Sequence, residues 1–285
     1  MLYRRSLITL VIIITFFAII ATSSGIFSHQ GEGASSYKTI RSEEIELYGI
    51  GPYTHMSSDV AIQGIAQDII TLFLALPALL LSFIFSLRGS IRAQLISTGT
   101  LVYLLVTYLF YLTMGTYNYL FLIYCVLLFS CFMAVSLSLL SLYHQRFHTR
   151  FDNRLPYRFC GSFLVVNSIM IGMLWLSIIV PPLIDGSIYP DALDHYTTLI
   201  VQGMDLGLLL PFGILCGILL IRRNPKGYLL ASVYMVFLTY LMAALIGKLI
   251  AMGLHGVSII PAIFIIPVIE AFAVYCSVRI LCALK

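Results

Sequence analysis

The chain has 285 residues, of which 60% are hydrophobic and only 10% charged, with a mean hydropathy of +1.01. Soluble proteins carry about 25% charged residues and roughly 45–50% apolar ones, so this composition excludes an ordinary water-soluble protein and, having so much apolar surface, a disordered one. The net charge of +4 comes from basic residues that cap apolar segments and never form a patch interleaved with aromatics, which argues against a nucleic-acid partner and for the lipid bilayer.

A helix needs about 20 apolar residues to cross the hydrocarbon core. Taken in chain order, eight segments qualify, and the predicted fold is all-α: a polytopic transmembrane bundle of about eight spans. The first runs over Ser6–Phe27. Arg4 and Arg5 before it and Ala21-Thr22-Ser23-Ser24-Gly25 behind it also fit a cleaved secretory signal, but the apolar stretch is long for a signal core, and a retained helix is the expectation. Residues 28–63 form the longest polar loop, too short for a domain of its own. Its Tyr48-Gly49-Ile50-Gly51-Pro52-Tyr53 stretch reads equally as a lid across the bundle mouth or as a connector.

The second span covers Gly64–Leu87. Gly64, Asp68, Thr71, Ala75, Ala78 and Ser82 recur at spacings of four and three, which puts small and polar groups on one face and predicts a helix-packing seam. In the third span, Ala93–Met114, Thr100, Tyr103, Thr107 and Tyr111 share a face, either as belt anchors or as the lining of a polar passage. The fourth runs over Tyr117–Leu142; its Ser136, Ser138 and Ser141 have no nearby base and read as packing residues. Between it and the fifth span, Phe159–Val180, lies a polar linker, residues 143–158. Its His144, Arg146, His148, Arg150, Asp152 and Arg154 are read as topogenic charges against lipid head groups, with a partner site as the alternative.

The sixth span, Leu199–Ile221, carries Thr198, Gln202 and Asp205 on one face and two small-xxx-small pairs, Gly203/Gly207 and Gly213/Gly217. In the seventh, Gly227–Met252, Lys248 shares a face with Tyr240, Ala244 and Ala251. In the eighth, Val257–Leu281, Glu270 follows Pro267 and Pro261, which predicts a kinked helix with freed carbonyls.

With the amino terminus in the cytoplasm, Arg4, Arg5, Arg88, Arg92, Arg146, Arg150, Arg154, Arg158, Arg222, Arg223, Lys226, Arg279 and Lys285 all fall inside, against Lys38 and Arg41 outside. This bias places the chain in the cell membrane with both termini cytoplasmic. A shift of 134 positions lays Leu76-Pro77 on Leu210-Pro211, Arg88 on Arg222 and Arg92 on Lys226. The expected organisation is therefore a four-plus-four parallel repeat: residues 1–142, the linker 143–158, and residues 159–285.

Ionisable side chains inside a membrane are costly and are functional candidates by default. The candidate substrate- or ion-binding set is Asp68, Asp205 and Glu270, with Gln202, Thr71 and Lys248. Under the shift Asp68 falls on Gln202 and Thr71 on Asp205, and the two aspartates are expected to approach each other across the repeat axis. The alternative is that each merely stabilises the start of its helix, and that Lys248 snorkels.

Other chemistry lacks its residues. There is no GxxxxGK[ST], HExxH or GxSxG motif, no CxxC, and no histidine deep in a span to ligate haem, so neither cofactor nor metal is expected. An outer cluster of His55, His195, Asp59, Asp191 and Asp194 matches no ligand spacing. The six cysteines, all in or beside spans, read as small apolar packing groups.

The strings Gln67-Asp68-Ile69-Ile70-Thr71 with Pro77 and Arg88-Gly89-Ser90, His195-Tyr196-Thr197-Thr198 through Asp205 to Pro211, and Arg222 through Ser232 resemble a family of uncharacterised bacterial multi-pass membrane proteins. That resemblance covers most of the chain and implies the span count but no activity. The leading expectation is a small-molecule or ion transporter with an acidic polar site open to the outside. The rivals are a non-catalytic accessory or sensory protein and a membrane-embedded lipid-modifying enzyme; an enzyme is the less favoured class.

Overall fold

The structure, a computed structural model, describes residues 2–145, 147–152 and 155–284. Eight helices are long and apolar enough to cross a membrane: α1 Arg4–Phe27, α2 Ser58–Leu87, α3 Ile91–Met114, α4 Phe121–His144, α5 Tyr157–Asp185, α6 Ile200–Ile221, α7 Pro225–Leu254 and α8 Ala262–Ala283. The protein is an all-α, eight-span integral membrane bundle. Being apolar nearly all round, these helices find their neighbours through small residues and shape rather than through an amphipathic stripe.

Helices α3 and α7 are the most enclosed, with 61% of each apolar stretch buried, and they pack on one another as the centre. Around α3, the helices α1, α2 and α4 close a ring: α1 on α2 and α4, α2 on α3, α3 on α4. Around α7, α5 lies on α6, α6 on α7 and α7 on α8. This second ring stays nearly open, because α5 meets α8 mainly through aromatic contacts of Phe159 and Phe163 with Phe272 and Tyr275. Helix α2 also packs on α7, joining the groups.

Helices α2 and α6 each contain one π-helical turn, at Thr71–Ala75 and Asp205–Leu209, followed by α-helix over Leu76–Leu87 and Leu210–Ile221. Both helices then stop in the same way. Gly89 and Arg223 take left-handed φ values of 96° and 54°. The next amide reaches back to a carbonyl of the last turn, Ser90 to Phe85 at 3.2 Å and Asn224 to Leu219 at 2.9 Å. This is the Schellman arrangement that satisfies orphan carbonyls. Ser90 and Asn224 then cap the following helix, accepting from the amides of Ala93 and Lys226. The π turns, the left-handed residues, the Schellman bonds and the capping residues are each 134 residues apart.

The residues at the basic end pack closely. Arg92 donates to the Leu284 carbonyl at 2.6 Å, the Asp152 amide to Ala283 at 2.8 Å, and the Arg223 guanidinium lies 3.9 Å from the Tyr157 ring centroid. Of the linker residues singled out above, Arg146 and Arg154 lie outside the described residues, as does the His148 side chain; so does Lys285.

At the opposite end, residues 28–57 carry an antiparallel hairpin, β1 Ser35–Lys38 and β2 Glu44–Leu47. Arg41 at its tip donates to the Asp194 carbonyl and lies over the Tyr189 ring. Ser57 Oγ donates to Asp194 Oδ2 at 3.0 Å, and His195 Nε2 lies 2.9 Å from the His55 carbonyl. The loop is thus a lid that clasps the α5–α6 connection, not a plain connector.

The two glycine pairs of α6 part company. A Cβ at Gly213 would meet Ser168 Oγ at 2.6 Å and one at Gly217 would meet the Gly161 carbonyl at 2.6 Å, whereas a Cβ at Gly203 or Gly207 would meet no other part of the structure within 4 Å. The second pair is the expected helix seam. The first faces open space, and its expected packing role is corrected.

Candidate functional site

The seam predicted on α2 is real: Asp68, Thr71, Ala75 and Ser82 are buried, and Gly64 and Ala78 half-buried. It packs against α1 and α3. Asp68, 1% exposed, is gripped by two phenols. Tyr53 Oη, descending from the lid, donates to Oδ2 at 2.5 Å, and Tyr111 Oη on α3 donates to Oδ1 at 3.0 Å. Tyr111 Oη also lies 2.9 Å from the Gly64 carbonyl, and the two phenol oxygens are 3.3 Å apart. Burial first, and the Asp68 carboxylate second, hold the Tyr53 phenol well above its usual pKa, so it remains a donor through the physiological range.

Below Asp68 the contacts continue as a ladder between α2 and α3. Gln67 Nε2 donates to Tyr103 Oη at 2.8 Å and Thr107 Oγ1 at 3.0 Å, and Thr71 Oγ1 lies 3.0 Å from Tyr103 Oη. The Tyr103 ring leans on Tyr240 of α7, at 5.8 Å between centroids. The α3 face read as a polar passage therefore exists, but it is filled by side chains bonded to each other. Gln67 Oε1 and Tyr108 Oη are buried without a partner, an uncommon state that marks polar sites with spare capacity.

In the other half, Asp205 opens the π turn of α6 and accepts a hydrogen bond from Trp175 Nε1 of α5 at 2.8 Å. Lys248 of α7 acts on it electrostatically. Gln202, one turn earlier, is half-buried. Glu270 lies in α8 past Pro267, its Oε2 buried and without a partner.

The acids are thus held apart. Asp68 belongs to α1–α3 and the lid, Asp205 to α5–α7, and Glu270 Oε2 has no hydrogen-bond partner among the described residues; the expected approach of Asp68 to Asp205 does not occur among the described contacts. The reason is local. Each aspartate is satisfied by an aromatic donor of its own half, so nothing draws the two together. Two openings, of about 550 and 670 Å³, lie at the ends of the bundle, beside Ser23, His29 and Tyr119 and beside Tyr143, Phe147 and Lys226. Neither is lined by an acid.

Of the residues that the structure brings together here, the sequence reading singled out Asp68, Thr71, Tyr103, Thr107 and Tyr111 as candidates and did not single out Tyr53, Gln67, Gly25 or Trp175. Trp175 carried a usable signal. It is the single tryptophan, and an indole N–H within a span needs an acceptor. Tyr53 and Gly25 carried none, since both meet Asp68 only through tertiary packing. Among the described residues, no group of three His, Cys, Asp or Glu is placed to hold a metal ion.

The Asp205–Lys248 relation gives one expected result. Lys248→Met and Asp205→Asn should each destabilise the bundle, and the double variant should be less destabilised than their sum by about 0.5–3 kcal/mol, the range for coupled neighbours. Denaturant unfolding in detergent checks this, and additive effects would mean that the two charges do not interact.

Comparison of the chain with protein-family models, curated proteins and solved structures returned no match.

Proposed function

We propose that the protein is a small transporter of the cell membrane, moving an ion or small molecule, made of two parallel four-helix halves with the basic end and both termini in the cytoplasm. The observation that carries this reading is Asp68: a buried carboxyl in a π-bulged span, closed off by a lid residue. Burying such a group in a bilayer costs a few kcal/mol at least, which makes its presence a functional clue by default, and π turns are frequent at functional sites. The coincidence of π turns, left-handed residues, Schellman bonds and caps at a spacing of 134 supports duplication, with α3 against α7 at the axis. Parallel repeats rocking about such an axis are one architecture of alternating access.

Purified protein in proteoliposomes should give a transport current or pH change with one of four probe classes: alkali cations, amino acids, sugars or organic anions. Asp68→Asn should reduce that signal at least tenfold. Silence with all four classes, under either direction of gradient, would reject transport. The accessory reading is then favoured by a specific feature, the ladder between α2 and α3 that is packed solid. The lipid-enzyme reading needed paired acids beside a lateral opening, and the separated carboxyls do not support it.

A further inference from the structure

We infer that Asp68 is a proton-exchange site, with the proton as the ion that this protein binds and releases, and with the hydroxyl of Tyr53 as a two-position switch, closed through Tyr111, that reads its charge. The inference rests on the transporter reading for its purpose but not for its geometry.

The hydrogen-bond arithmetic is the argument. With Asp68 ionised, the carboxylate has only acceptors, and two donors face it: Tyr53 at Oδ2 (2.5 Å) and Tyr111 at Oδ1 (3.0 Å). When a proton is added, one O–H bond forms at Oδ2, and the new hydroxyl donates to Tyr53 Oη across the same 2.5 Å. Tyr53 then turns its own O–H to Tyr111 Oη, 3.3 Å away, while Tyr111 keeps its O–H on Oδ1 at 3.0 Å, so that the carboxyl and the two phenols close a ring. No other bond breaks, no heavy atom needs to move, and the incoming proton cancels the carboxylate charge. A carboxyl meant only to anchor a helix needs one satisfied state. This one has two, and the 3.3 Å between the two phenol oxygens is the contact that the second state requires.

The surroundings offer no competing charge. From the lid comes Tyr53; from α3 come Tyr103, Tyr108 and Tyr111; from α4 comes Tyr124, whose ring packs 5.5 Å from that of Tyr111. Helix α1 presents the backbone of Gly25 against the carboxyl. All the titratable groups facing Asp68 among the described residues are phenols, so no fixed cation holds it ionised and no second carboxyl shares its proton. A bound metal cation in place of the proton would need several oxygen ligands, whereas both carboxylate oxygens here already accept from phenols.

The test is infrared difference spectroscopy on the full chain in lipid nanodiscs as the buffer pH is stepped. The expected result is a protonated-carboxyl C=O band that appears as pH falls, is lost in Asp68→Asn, and is shifted in frequency but retained in Tyr53→Phe and Tyr111→Phe, which keep the acid and remove one partner each. If Asp68→Asn does not fold, the frequency shifts in the two phenylalanine variants identify the band. A titrating band indifferent to all three variants, or an Asp68 that never changes charge over the range where the protein stays folded, overturns the inference. Failure of transport is read separately. A band that titrates without any solute flux leaves the proton site standing and removes the carrier.

Discussion

Gly25→Ala is expected to unfold or severely destabilise the bundle, although the substitution adds a single methyl group near the end of an apolar helix. A Cβ built there falls far inside contact distance of Asp68 Oδ2 and lies 3.1 Å from Tyr53 Oη. The carboxyl cannot step aside cheaply, because both oxygens are held by phenols. Turning it away loses at least one hydrogen bond to a charged group, worth about 1.5–3 kcal/mol, and the added volume costs about 1–3 kcal/mol more in a packed site. A loss of about 2.5–6 kcal/mol is therefore expected, read as a fall in thermal stability in detergent together with loosening of the lid. Limited proteolysis within residues 28–57 should accelerate in parallel. If Gly25→Ala melts like the unchanged protein, the packing of α1 on the Asp68 site is wrong.

Gly227→Ala should be comparably damaging, for a reason that has nothing to do with chemistry at the site. Gly227 sits in the first turn of α7, and its missing side chain lets the backbone of α6 approach: an added Cβ would fall far inside contact distance of the carbonyl carbon of Leu219 and lie 2.6 Å from the amide nitrogen of Leu220. Backbone atoms within a capped helix end cannot rotate out of the way. They must translate, and with them the Schellman turn that joins α6 to α7. The overpacking range of about 1–3 kcal/mol is here a lower bound. Gly203→Ala is the control. That glycine faces open space, so alanine should be neutral or stabilise by up to about 1 kcal/mol through helix propensity. Equal unfolding midpoints for the two variants would contradict the distinction between packed and unpacked glycines.

The same contrast marks where sequence reading stopped. Gly203/Gly207 and Gly213/Gly217 are indistinguishable as strings, each a small-xxx-small pair on the same helix. The structure gives only the second a partner, Gly161 of α5. A motif states that a close approach is affordable, and the arrangement of the other helices decides whether it is used. The aspartates make the same point for polar groups. Their positions, faces and near-equivalence under the 134-residue shift were legible. Their separation was not, because it depends on which aromatic donors the tertiary fold supplies: Tyr53 from a loop and Tyr111 from a neighbouring helix in one half, Trp175 in the other.

Sequence alone determined the solvent and the scaffold. A chain this apolar must satisfy its backbone internally, and in lipid helices of about 20 residues do so, so eight spans and their turns could be read directly from composition, small residues and basic caps. Only the tertiary structure decided what the polar residues do. A carboxyl inside a bilayer takes its meaning from whichever donors reach it within about 3 Å, and that reach is set by the docking of the lid, the approach permitted by Gly25 and the pairing of α2 with α3, none of which is a property of any segment by itself.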